Sequence, residues 1–238
     1  MITIRSYRGG LGNNLWQYTV GRITAERLGL AFIAPRISGF PNCKPFVSGQ
    51  FKLKNSEIIT GHVLPQNMTS KRYILQATLE RYEYLAGHKE KLKEWVKPKI
   101  DDVRSCASDE IVLSIRRGWN NWPAEALCPP AESYIEYLSF VAPKKVWITT
   151  DSPNDPYFDS FRKYQGEYEI YQGTTLQQFE FIRQARIVIM APSTFSFWAT
   201  LVGNAEKIYW PRIEALNFQK NGYDWFPYDD ARSEWFDL

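Results

Sequence analysis

From Ile111 onward the chain repeats one pattern, and that pattern restricts its fold more than any other feature. Short apolar runs at Ile111–Ile115, Val146–Thr149, Tyr168–Tyr171, Ile187–Met190 and Lys207–Trp210 read as strands. Between them, Ala131–Phe140, Tyr157–Tyr164, Leu176–Gln184 and Phe195–Val202 read as helices. Strands that alternate with helices in this way form a parallel sheet covered by those helices. Ligands of open α/β sheets sit beyond the carboxyl ends of the strands, so the residues just after each strand carry the most functional weight.

The first half is less regular. A strand-like run, Ile2–Tyr7, leads into the glycine-rich turn Gly9-Gly10-Leu11-Gly12 and a helix from Asn13 to about Leu28 that stops before Gly29. Shorter apolar runs follow at 30–34, 57–60 and 73–76. A long amphipathic helix is then predicted from the spacing of Leu79, Tyr82, Leu85, Leu92 and Trp95, ending near Pro98. Polar residues gather between Lys97 and Asp109, which reads as a linker and divides the 238 residues into two α/β domains, 1–105 and 106–238.

Composition narrows the function by exclusion. With 29 basic against 26 acidic residues the net charge is only +3, too balanced for a protein that neutralises many nucleic-acid phosphates, although a small anionic ligand fits. No run approaches the roughly 18 apolar residues of a membrane span. Cys43, Cys106 and Cys128 form no CxxC pair and His62 and His88 lie far apart, so a structural zinc site is not expected. The odd cysteine count points to reduced thiols and a cytoplasmic location, free or peripheral to a membrane.

Three segments fall at strand ends. Ser114-Ile115-Arg116-Arg117-Gly118 places two always-charged guanidiniums beside a glycine, a fork suited to phosphate; an isolated Arg-Arg-Gly is more often a solvated strand end. Ala191-Pro192-Ser193-Thr194-Phe195-Ser196-Phe197-Trp198 begins a helix, whose first amides and positive dipole end attract anions; it is equally a capped core helix. Thr149-Thr150-Asp151-Ser152-Pro153 offers a carboxylate that can accept two hydrogen bonds from a base or a ribose, and is also an ordinary turn. The turn at 9–14 lacks the full dinucleotide and P-loop patterns.

Taken in order, three stretches resemble the signatures of the α-1,2-fucosyltransferase family. Gly9 to Tyr18 is similar to its GGLGNQ(L/M)FQY, Ile115 to Gly118 to its HIRRGD, and Ser193 to Trp198 to its S(S/T)FSWW. The resemblance extends more distantly to the core α-1,6 and protein O-fucosyltransferases. It implies a GT-B fold, with two Rossmann-like αβα halves facing a central cleft, and inverting transfer of fucose from GDP-fucose without a divalent metal. No cofactor is implied beyond the GDP-sugar, a co-substrate, and no DxD motif is present.

By the same resemblance Arg116 contacts the donor diphosphate, with Ser114 and Arg117 nearby. Ser193, Thr194, Phe195 and Ser196 line the phosphate site, and Gly12 and Asn13 close it from the other half. Asp151 faces the guanine, and Glu125 is the candidate general base, a role that Asp151 or Glu132 could fill instead. Departures are specific: Ser114 stands where the family has His, Trp119 where the motif has Asp, Asn14 for Gln, and Ser152 for an Asp.

The expected function is therefore an inverting glycosyltransferase whose partners are a nucleotide sugar and a glycan or saccharide acceptor, with neither nucleic acid nor a membrane span involved. Trp119 and Trp122 could stack on a sugar face or simply pack. Two rivals remain open: a glycosyltransferase using another GDP-sugar, and a non-catalytic nucleotide- or glycan-binding relative.

Overall fold

A computed structural model describes residues 1–45, 56–61, 63–68, 72–118, 128–211 and 224–236. The chain is an α/β protein with two parallel sheets, the fold class expected from the strand and helix alternation. The described residues fall into two compact units. One comprises Met1–Lys99 with the described part of Phe218–Pro227, the other Ile100–Asn217 with Tyr228–Leu238, again in their described parts.

In the first unit, helix α1 (Leu11–Arg27) follows strand β1 (Ile2–Thr3) and is buried on nearly every side from Leu15 to Ala25, which explains why its sequence is not clearly amphipathic. Gly29 stops it: its φ of 63° is left-handed, and the amides of Gly29 and Leu30 return to the carbonyls of Glu26 and Ala25, closing a Schellman motif. Strands β2 (Phe32–Ile33), β3 (Ser56–Ile59) and β4 (Arg72–Leu75) complete a sheet of order β2-β1-β4-β3.

The long helix expected from Leu79 to Trp95 is not formed. Positive φ at Leu79 (54°) and Gly87 (75°) breaks it into a 3₁₀ turn, Tyr82–Tyr84, and a short helix α2 (Lys89–Trp95). Leu79, Tyr82, Leu85, Leu92 and Trp95 are all buried nonetheless. The apolar spacing had registered burial, which two short elements satisfy as well as one long helix.

The second unit follows its pattern closely. Strands β5 (Glu110–Ile115), β6 (Lys145–Thr150), β7 (Tyr168–Ile170), β8 (Ile187–Ile189) and β9 (Lys207–Pro211) alternate with helices α3 (Ala131–Val141), α4 (Thr175–Gln184) and α5 (Thr194–Leu201). Where a helix is expected between β6 and β7 the chain forms a 3₁₀ helix, Pro156–Lys163, started by Pro156 behind the Asp155 cap. Its buried residues, Phe158 and Phe161, are three apart, the spacing that a 3₁₀ turn eclipses on one side.

A last strand, β10 (Ser233–Phe236), was not anticipated. It pairs with β9 after the chain has visited the first unit, where Asp224 bridges Arg81. The sheet order is β10-β9-β8-β5-β6-β7, every pair parallel. The chain thus winds outward from β5 in one direction, then returns to β8 and winds outward in the other. That reversal is a topological switch point, the place where doubly wound sheets bind ligands.

One sheet face packs Leu113, Ile115 and Ile148 against α3 and the 3₁₀ helix. The other carries Trp147, edge-on to Phe181 of α4. Among the described residues no helix is long and apolar enough to cross a membrane.

Candidate functional site

The carboxyl ends of β5, β6 and β8 meet the first turns of α4 and α5 around an open pocket of about 130 Å³. Ser114, Arg116, Asp151, Ser193, Phe195 and Ser196, all named from the sequence, line it. So do Thr149, Thr150, Thr175 and Gln178. Thr175 and Gln178 were missed because the residue motifs stand at the ends of β5, β6 and β8, and none of them marks the four residues between β7 and α4. The signal was present: Thr174 and Gln177 form a capping box, which fixes where α4 begins.

The position of α5 has local causes. Ser193 is extended (φ −136°) and its Oγ accepts from the Phe195 amide at 3.3 Å, while its carbonyl takes the first helical bond from Phe197. Phe195 meets Phe179 of α4 edge-on at 5.5 Å, which ties the two helix starts together. Behind them the Ser114 and Ser196 hydroxyls, both buried, are 2.7 Å apart. Thr194 is half-buried in the first turn and does not line the pocket.

The strand period of two separates the adjacent arginines. Arg116 stays on the Ser114 side and enters the pocket. Arg117 follows Ile115 to the opposite face, where its Nε lies 3.2 Å from Asp155 Oδ2 and its guanidinium covers the Tyr157 ring at 4.6 Å. Its side chain is only 10% exposed, so its geometry is that of an anchor for the 3₁₀ helix rather than of a donor contact.

Asp151, expected to face a base, turns both oxygens onto the loop after β5. Oδ1 accepts from the amides of Arg117 (2.9 Å) and Gly118 (3.2 Å) and Oδ2 from Gly118 (3.1 Å), while Arg116 Nε lies 3.1 Å from Oδ2 in an ion pair. A Cβ on residue 118 would fall 2.6 Å from Oδ2, so glycine is the residue that lets the carboxylate seat there. Glu125, Trp119 and Trp122 lie outside the described residues. Among the described residues no three His, Cys, Asp or Glu side chains gather to hold a metal ion.

Gly12 and Asn13 occupy the first turn of α1, in the first unit. Gln17, fully buried, holds the glycine turn: its amide donates to the carbonyls of Arg8 and Asn13 and its oxygen accepts from the Arg8 amide. Asn13 Nδ2 donates to Glu80 Oε1 at 3.1 Å. A polar residue inside an apolar helix marks Gln17 in the sequence, whereas nothing local marks Glu80.

Glu80 is 4% exposed, and burial pushes its carboxyl from 4.5 up to about 7, against the pull of the Thr78 and Trp225 side chains. The folded protein keeps this proton to about pH 7 while an unfolded glutamate releases it near 4.5. Glu80 therefore contributes stability that is complete below pH 4.5 and lost as the pH rises through 7. The loss is at most about 3–4 kcal/mol, since one pKa unit is worth about 1.4. In Glu80→Gln, urea unfolding of the first unit should lose this pH dependence; a slope equal to that of the natural protein would refute the assignment.

No protein-family model matches the sequence, and no curated protein is significantly similar to it. Among solved structures, POFUT1 in complex with GDP-fucose aligns with a TM-score of 0.39 at 10% identity, over 69% of this chain and 53% of that one. The apo form of POFUT1 aligns at 0.33 and 12% identity, over 55% and 50%. This chain thus spans about half the length of those structures. Likeness of that degree says nothing about activity, and the functional reading rests on the pocket and the sequence motifs.

Proposed function

We propose that the protein is an inverting, metal-independent glycosyltransferase that moves fucose from GDP-fucose to a hydroxyl of a glycan, with the pocket holding the donor's diphosphate. The observation that carries this reading is the meeting of Arg116 with the first turn of α5 at the switch point of a doubly wound sheet. At about 130 Å³ the pocket is well below the roughly 300–1,000 Å³ that enclose a drug-sized ligand. It suits a diphosphate, with nucleoside and sugar extending beyond it.

Inverting transfer requires an acceptor oxygen to attack the anomeric carbon opposite the departing nucleoside diphosphate. The bond from that carbon to the β-phosphate oxygen breaks, and its electron pair stays on the phosphate. Arg116 and the positive dipole end of α5, where the Ser193 cap takes the Phe195 amide, face that growing charge. Amides in a helix's first turn have no acceptor within the helix, and the dipole adds to their pull. In this reading Glu125 takes the acceptor proton, a contribution of about 10²–10⁴, and Gly12 and Asn13 contribute from the first unit. The GT-B arrangement belongs to the same proposal.

Thermal unfolding with GDP, GDP-fucose, GDP-mannose and UDP tests the reading. A ligand at 100 times its Kd adds about 2.7 kcal/mol to the folded state, which raises the Tm by roughly 5–10 °C for a chain of this size. GDP and GDP-fucose should give that shift and UDP should not. A larger shift with another GDP-sugar would move the assignment to that donor, and binding without transfer would mark a non-catalytic relative. No shift with any of the four would sink it.

A further inference from the structure

We infer that Asp151 positions Arg116 for catalysis, acting through that arginine rather than by reading the nucleobase. The inference rests on the donor-site reading above and adds a second functional carboxylate to it.

The carboxylate is held before it holds anything. Two backbone amides, of Arg117 and Gly118, approach it at 2.9–3.2 Å and fix it against the loop, and glycine at 118 leaves the room it needs. From that seat Oδ2 meets Arg116 Nε at 3.1 Å. Nε is the one guanidinium nitrogen within the side chain's own stem. Fixing it sets the plane in which the two terminal nitrogens lie, and those are the donors that suit a bidentate contact with phosphate. Arg116 is 40% exposed, so packing alone does not orient it. A negative charge beside an anion site costs affinity. Its presence is understandable where rate depends on geometry, because donors misplaced by about 1 Å lose about a hundredfold.

Base recognition is disfavoured by the same contacts. A guanine edge presents two N–H donors to a carboxylate, and here both oxygens already accept from the loop amides, with Arg116 ion-paired to one of them.

A double-mutant cycle with Arg116→Ala, Asp151→Ala and the pair, together with Asp151→Glu, decides the matter. The readouts are kcat for transfer, and the affinities of GDP, pyrophosphate and guanosine by calorimetry. Asp151→Ala should lower kcat by about tenfold or more while pyrophosphate binds as well as before or better, since a like charge has gone. In the Arg116→Ala background the same change should cost almost nothing further, as expected when one residue acts through another. Asp151→Glu, whose longer arm displaces the carboxylate, should restore only part of the rate.

Equal losses in both backgrounds, or a parallel fall of kcat and pyrophosphate affinity, would overturn the positioning role. So would a selective loss of guanosine affinity, which would return Asp151 to the base. If the unsubstituted protein binds neither GDP nor pyrophosphate, the donor-site reading fails, and this inference with it. Normal ligand binding with an additive cycle removes only the role of Asp151.

Discussion

Arg116→Ala should reduce sugar transfer by about a hundredfold or more, the loss seen when one preorganised donor to a developing oxyanion is removed. The cause is the geometry at the end of β5. The guanidinium lines the pocket beside the first turn of α5, where negative charge grows as the nucleoside diphosphate departs. Nothing else among the described lining residues carries a permanent positive charge.

Its removal also leaves the Asp151 carboxylate in the pocket without its ion-pair partner, so an incoming diphosphate meets a negative charge. GDP affinity should fall together with kcat. Folding should not suffer, because an ion pair this exposed contributes about 1 kcal/mol or less. Arg116→Lys should recover little, since an ammonium is a point charge that cannot reproduce a planar fork. Transfer assayed by release of GDP, with melting followed by circular dichroism, separates these effects. Full turnover in Arg116→Ala would refute the proposed chemistry.

The second unit was legible because each of its strands is bounded by turn and cap signals that act locally. Ser193 announces α5, Thr174 with Gln177 announces α4, and Asp155-Pro156 announces the 3₁₀ helix. The pocket followed from one further rule, that strand ends carry the ligand, and six of the residues read as site residues do line it. What escaped depends on distance or on parity. Asp224, Glu80 and Asn13 come together from three remote parts of the chain. Strand β10 is recruited across an excursion into the other unit, which no local pattern records. Arg116 and Arg117 look interchangeable in sequence, and only the pleat of β5 sends one to the pocket and the other to Asp155. The broken helix at 79–95 shows the limit of periodicity, which reports which side chains are buried and leaves the backbone that buries them undetermined.

Arg232→Ala should produce the largest loss of stability, about 3–5 kcal/mol, although the residue is far in sequence from every motif. Its guanidinium caps the carboxyl end of α5, the helix whose other end forms the pocket. Nη1 donates to the carbonyls of Gly203 (3.0 Å) and Ala205 (3.1 Å), and Nη2 to those of Thr200 (3.4 Å) and Leu201 (3.2 Å). Thr200 and Leu201 lie in the last turn of α5, whose carbonyls a helix end leaves short of partners, Gly203 and Ala205 lie in the turn beyond it, and a cation there also suits the dipole. The same guanidinium grips Asp230 with two bonds, Nε to Oδ1 at 2.8 Å and Nη2 to Oδ2 at 2.6 Å. Asp230 is 2% exposed at its side chain, so alanine at 232 takes the cation from a buried carboxylate, which keeps the amide of residue 232, and removes the donor from the carbonyls of Leu201, Gly203 and Ala205. Pairing Arg232→Ala with Asp230→Ala should therefore be less damaging than Arg232→Ala alone, because the buried charge that lost its cation is gone. The expected signature in urea is a lower midpoint with an unchanged slope. Well below the new midpoint, the fraction that remains folded should still bind GDP, since Ser193, Thr194 and Phe195 at the opposite end of α5 keep their own cap. A midpoint equal to that of the natural protein would mean that water satisfies those carbonyls as well as Arg232 does.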